Sequence, residues 1–316
     1  MSTIMSYIYL AIRPFRPSDH LDLPFRDIQR YYWPNHPTMQ ELERACTNND
    51  IDHFKASFYA WRQMATPQPP LGPPDYPLGT LDPIFYHAIR LHRTEFVAFL
   101  LSEGVRTCRA ARFEAIEYKC PPAMWEAFLE HGHYNIWDSE SQLLPPMADV
   151  FDNAPLVEWF LKRRVNPNTA TSYGLTIMLK AIGCAPLSII KMLHESGGDI
   201  SRALPFAVNP EPPATKSRSL QIIRYLLDAG AHLDASKCAD NTTFYRRWDN
   251  DWGSALNGAL SLKRKDLAEH LLRRGARVDI PTLNAMSTGE TARELAARFV
   301  PELLPEIELR YLIQKR

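Results

Sequence analysis

The residues best suited to chemistry are dispersed along this chain. His131 and His133, with Cys120 ahead of them, offer ring nitrogens and a thiol of the kind zinc takes. Their place at the end of an apolar segment suits capping and surface roles better. Asp138, Asp249 and Asp251 supply carboxylates, but acid–base catalysis needs a walled pocket that drives two acidities apart. The sequence has no Gly-rich phosphate loop followed by Lys-Ser/Thr, no Gly-x-Ser-x-Gly elbow, no His-Glu-x-x-His and no metal-spaced Cys/His set. No catalytic, cofactor or metal residue is therefore assigned, and the chain is expected not to be an enzyme.

Residue types that bind proteins are more concentrated. Tyr245, Arg246, Arg247, Trp248 and Trp252 crowd one polar stretch, and Trp, Tyr and Arg carry most of the energy of protein interfaces. A second stretch holds prolines at 67, 69, 70, 73, 74 and 77, which favour an extended, low-entropy backbone. Within it Pro73-Pro74-Asp75-Tyr76 resembles the Pro-Pro-x-Tyr ligand of WW domains. A rigid spacer explains the same prolines. Two basic clusters, Lys162-Arg163-Arg164 and Lys263-Arg264-Lys265, fall at helix ends or turns, where cations are the ordinary solvated choice.

What positions these groups is a repeat. Ala88 and Gly104 are sixteen residues apart, as are Ala181 and Gly197, Ala259 and Gly275, and, with the glycine replaced, Ala148 and Arg164. The spacing recurs about every thirty-three residues, which marks a stacked array. Before each of these ends runs an apolar segment such as Phe96-Val97 to Leu100-Leu101, or Leu267-Ala268 to Leu271-Leu272. Paired apolar residues one helical turn apart predict a helix with a single buried stripe.

The first half of the repeat resembles the ankyrin opening Gly-x-Thr-Pro-Leu-His-x-Ala. Gly174-Leu175-Thr176-Ile177-Met178-Leu179-Lys180-Ala181, Ser254-Ala255-Leu256-Asn257-Gly258-Ala259 and Gly289-Glu290-Thr291-Ala292-Arg293-Glu294-Leu295-Ala296 are degenerate copies of it. Asp199, Asp234 and Asp279 resemble the turn into the next finger. The whole is similar to a degenerate, fungal-type ankyrin array. That resemblance implies an all-α solenoid of helix-turn-helix units with short β-hairpin fingers. It covers residues 38–316 as about eight units: 38–65, 80–107, 108–138, 139–170, 171–201, 202–236, 237–284 and 285–316. An extension, 1–37, precedes them, and a Pro-rich linker, 66–83, separates the first two. The segment Glu302 to Arg316 is expected to close the array as a cap.

Departures from the period place two insertions. Between Gly230 and Gly275 twelve extra residues fall where a finger belongs, around Asn241 to Trp252. The unit 202–236 lacks a full finger and carries Asn209 to Ser219 between its helices instead.

Composition sets limits on function. The 316 residues carry 36 basic and 36 acidic side chains, so nothing global favours nucleic acid, whose binding needs clustered positive charge. Cys46, Cys108, Cys120, Cys184 and Cys238 are odd in number and unpaired in pattern, which suits reduced thiols in a cytosolic or nuclear protein. The apolar run Ile4 to Ile12 is too short to span a bilayer.

These readings predict a monomeric, non-enzymatic scaffold or adaptor of the cytoplasm or nucleus, without cofactor, nucleic acid or membrane. Its protein partner would dock on the fingers and on the concave face of the first helices, through Tyr245, Arg246, Arg247, Trp248 and Trp252 first. Arg90, Trp137, Phe151, Tyr173 and Phe299 would follow. A WW-domain protein would take Pro73, Pro74 and Tyr76. A transcriptional co-regulator or ubiquitin-ligase adaptor would use the same face. An enzyme would need a pocket between the N-terminal extension and the array.

Overall fold

Short amphipathic helices, each closed by a tight left-handed turn, follow from the apolar spacing, and such helices form. In the computed structural model the described residues are 37–64, 81–105, 109–131, 144–172, 174–208, 216–236, 253–282 and 289–315. They fall in two bodies, which divide between Ile136 and Trp137.

The first body holds three helical hairpins: α1 (Pro37–Asn48) with α2 (Ile51–Met64), α3 (Asp82–Arg90) with α4 (Thr94–Ser102), and α5 (Arg109–Glu117) with α6 (Pro122–His131). The first helices α1, α3 and α5 pack side by side, and so do the second helices α2, α4 and α6. Between the layers lie Leu42, Ala45, Ala88, Ala115, Phe54, Phe58, Phe96, Trp125 and Phe128, all buried. Edge-on ring contacts, such as Phe54 with Phe96 at 4.9 Å and Phe58 with Phe99 at 5.1 Å, join α2 to α4.

The second body continues the same plan. A 3₁₀ turn (Pro146–Asp149) pairs with α7 (Ala154–Lys162), α8 (Ile177–Cys184) with α9 (Leu187–Glu195), and α10 (Leu204–Val208) with α11 (Lys216–Asp228). Next come α12 (Ala255–Ser261) with α13 (Lys265–Arg273), and α14 (Ala292–Phe299) with α15 (Leu304–Gln314), the last two joined through a 3₁₀ turn, Pro301–Leu303. The 3₁₀ turn, α8, α10, α12 and α14 pack in that order. The first helix expected around Ala148 is thus only a single turn. Pro145 and Pro146 remove two backbone donors there, and Asn153 already caps α7 by accepting from the Leu156 N–H at 3.2 Å.

Both ends of a unit use one backbone device. At four of the first helices a residue just past the helix end has positive φ: Asn49, His92, Lys119 and Lys263, at 51° to 60°; α8 and α14 close instead on Ala185 and Val300, at φ −83° and −143°. In the four, the N–H of that residue and the next one fold back on the helix, as His92 N to Ile89 O (3.0 Å) and Arg93 N to Ala88 O (2.8 Å). This is the Schellman pattern. It recurs at the far end of the second helices, as Gly230 N to Leu227 O (3.2 Å) and Ala231 N to Leu226 O (2.9 Å). The first set lines a turn edge, and the second leads toward the fingers.

One finger is described except for residue 173. Ala170 and Thr176 form an antiparallel bridge, Gly174 stands at φ 82°, and Thr171 N donates to Leu175 O at 3.0 Å. Thr176 then caps α8 by accepting from the Leu179 N–H at 3.0 Å, and Ser254 does the same for α12 at Asn257 N (3.2 Å). Asn257, fully buried, donates its amide to Ile280 O at 2.8 Å. The described architecture is all-α, built of helix-turn-helix units of the ankyrin kind with a short hairpin finger. No helix among the described residues is long and apolar enough to cross a membrane.

Candidate interaction surface

Most residues singled out by sequence lie outside the described part of the chain: Tyr245, Arg246, Arg247, Trp248, Trp252, Tyr173, Trp137, and Pro73, Pro74 and Tyr76 of the Pro-rich segment. Three are described.

Arg90 is the best organised of them. It ends α3, and α5 beside it brings up Glu114, so that Arg90 Nε and Nη2 donate to the two carboxylate oxygens at 2.8 and 2.7 Å. Glu114 is buried, whereas the arginine side chain keeps about a third of its surface exposed. The bidentate fork fixes the guanidinium plane at little further entropic cost, and the hydrogen bonds from Arg90 to Glu114 hold its acidity weaker still than a free arginine's. The guanidinium carbon lies 5.8 Å from the centre of the Tyr118 ring, itself exposed. Burial pushes the Glu117 carboxyl up, and the charge of Glu114 adds to the effect. A held cation, an open aromatic ring and two carboxylates thus meet across α3 and the end of α5.

The same edge is tied to its neighbours through backbone. His92 Nε2 lies 2.6 Å from Tyr118 O; a carbonyl only accepts, so Nε2 carries the proton. Arg93 donates to Cys46 O at 3.2 Å and Thr47 O at 3.0 Å, capping the end of α1. His87 Nε2 meets Thr47 Oγ1 at 2.9 Å, and burial lowers the histidine's affinity for a proton.

Phe299 is half-buried in the second body. Arg298 lies 4.5 Å and Lys263 5.9 Å from its ring centre, and Glu290 takes Arg298 Nη2 at 2.6 Å. Phe151 is 7% exposed, which leaves little of its ring for a partner. Between the 3₁₀ turn and α8, Lys180 Nζ and Asp149 Oδ1 pair at 2.6 Å, both largely shielded from water.

Sequence reasoning missed Tyr118, Glu114 and Glu117. Their signal was positional: Tyr118-Lys119-Cys120 occupies the place of Leu91-His92-Arg93 one unit earlier, where the turn edge sits beside Arg90. Among the described residues no group of three or more His, Cys, Asp or Glu is placed to hold a metal. Cys120 points inward, its Sγ 3.4 Å from Ile89 O, and burial pushes its thiol up to about 12. Cys46 is likewise buried, its thiol also raised to about 12.

No protein-family model matches the chain, and no curated protein sequence matches it either. Among solved structures, the ankyrin repeat domain of Bcl-3, described as a unique member of the IkappaB protein family, superposes with a TM-score of 0.40. The two are 15% identical in sequence, and the match covers 84% of this chain and 97% of that one. So loose a likeness does not bear on function, and the fold rests on the hairpins themselves.

Proposed function

We propose that this protein is a non-enzymatic scaffold or adaptor that binds another protein across the exposed face of its first helices and its fingers. The observation that carries this reading is the Arg90, Glu114 and Tyr118 cluster. It presents two of the residue types that dominate interface energetics, the arginine already held in place by Glu114.

The long finger at Tyr245 to Trp252 serves in this reading as a second anchor, and Pro73, Pro74 and Tyr76 as a handle for a WW-domain protein. Residence in the cytoplasm or nucleus is part of the proposal, supported by Cys46 and Cys120 standing as free, buried thiols. A ligase adaptor and a transcriptional co-regulator are the two versions that partner identity would separate.

Affinity purification with mass spectrometry tests it, using wild type, Tyr118→Ala with Arg90→Ala, and Trp248→Ala with Trp252→Ala. Loss of one set of proteins from either variant, with helix content unchanged, is the expected result. Identical recovery from all three would sink the proposed surfaces.

A further inference from the structure

Positive charge is left over at one place between the second helices of the second body. Many arginines of that body hold a carboxylate, as Arg264 does Asp266, Arg298 does Glu290 and Arg293 does Glu308. Arg224, exposed on α11, holds none. Arg273, exposed on α13, bonds only to the Glu269 carbonyl, at 3.2 Å.

One bond shows what faces across the gap. Arg274 Nη1 of α13 donates to Asp228 Oδ1 of α11 at 2.9 Å. Arg224 lies four residues before Asp228, and His270 four before Arg274, so one turn back along both helices these two stand level. Arg273, three residues past His270, adjoins them on α13. The imidazole there is poorly served, for its Nε2 is shut off from solvent and meets no hydrogen-bond partner. Burial and the charges of Arg224, Arg273 and Arg274 lower its affinity for a proton, with Asp228 opposing them.

The nearby carboxylates are already engaged. Asp228 is taken by Arg274, and Glu269 stands 4.0 Å from Lys265. Arg224 and Arg273 are therefore uncompensated in a chain whose formal charges balance. Arg224 keeps its whole fork of N–H donors and Arg273 all but Nε. Such planar forks match carboxylates in pairs.

We infer that Arg224 and Arg273, flanking His270, form a binding site for an acidic segment of a partner protein, whose Asp or Glu carboxylates take the two forks. The site is built on second helices, not on first helices or fingers, so it stands or falls apart from the surface proposed above. With both arginines exposed, the contact is weak and screened by salt.

Fluorescence anisotropy of labelled hexaglutamate with the full chain, at about pH 6 and about 20 mM salt, tests this. Wild type should bind with Kd on the order of 100 µM. Arg224→Gln with Arg273→Gln should weaken binding at least about fivefold, with circular dichroism unchanged. Lys162→Gln with Arg164→Gln, which removes as much charge from the end of α7, should change it by less than about twofold. Hexaglutamate should also move the His270 ring signal in NMR, identified by its loss in His270→Gln, toward the protonated position, because an anion offsets the arginines. Equal weakening by the two double variants, or binding that leaves His270 unmoved, overturns the inference in favour of unspecific attraction. Absence of binding up to about 1 mM overturns it as well.

Discussion

Where the turn edge holds a left-handed residue, it and the finger edge close their helices with the same backbone bonds but fill that position differently. Along the turn edge it is taken by Asn49, His92, Lys119 and Lys263; toward the fingers, among the described residues, it is taken by glycine in all but one case, Arg164. Crowding does not explain the glycines, because a Cβ added at Gly197, Gly230 or Gly275 would meet nothing within 4 Å. The difference lies in what a side chain could do there. On the turn edge it has work: His92 reaches Tyr118 O and Lys263 stands over Phe299. A side chain at Gly230 would bring the strain of left-handed backbone and nothing to touch. At His92 and Lys263 the non-glycine residue at positive φ thus touches the neighbouring unit.

The largest expected effect comes from removing the core on which both edges rest. Leu271→Asp places a carboxylate in a fully buried site, and should cost about 4 kcal/mol or more; loss of helical circular dichroism from the second body measures it. Gly253→Ala should follow, because its Cβ would lie 2.1 Å from Pro281 O at φ 78°. Backbone must move, at about 3 kcal/mol, and urea denaturation gives the figure.

Two smaller changes sharpen the comparison itself. Arg164→Gly relieves a strained position at φ 63° and should stabilise by about 1 kcal/mol, raising Tm by about 2–4 °C. His92→Gly relieves similar strain but gives up a hydrogen bond of about 1 kcal/mol, so its Tm should stay near wild type. Equal stabilisation by the two would refute the stitching role of His92.

The smallest effect is a pH dependence. Burial lowers the proton affinity of His87 in the first body. Burial does the same to His270 in the second, helped by Arg224, Arg273 and Arg274. In the unfolded chain both take up protons near their ordinary value of about 6.5, before the folded chain does. Stability is therefore full above that pH and declines as pH falls toward the folded values. Thermal melts from pH 7.5 to 5.5 should show the decline, and His87→Gln with His270→Gln should flatten it.

Sequence made the helices and the phase of the units readable, because Ala and Gly occur where backbone closeness and left-handed turns demand them. It did not reveal the turn edge, since Asn49, His92 and Lys119 occupy a conformation usually signalled by glycine. Tyr118 was hidden for the same reason. Phe151 was read as available because periodicity places a residue on a unit but not how deeply its neighbours cover it. The segment Glu302 to Arg316 was read as a closing cap, which does not show that Leu309 and Leu312 stand exposed on it.

The bonds between neighbouring units have one more property. Arg93 reaches Cys46 O and Thr47 O, and His92 reaches Tyr118 O. Asn168 donates to Gly197 O and accepts from Asp199 N, and Asp234 accepts from Arg277 N. In each of these bonds one partner is main chain, which any amino acid supplies. At these points the unit that offers its main chain can drift through mutation without loosening the grip of its neighbour. The repeated phrase can therefore erode at those positions while the architecture persists.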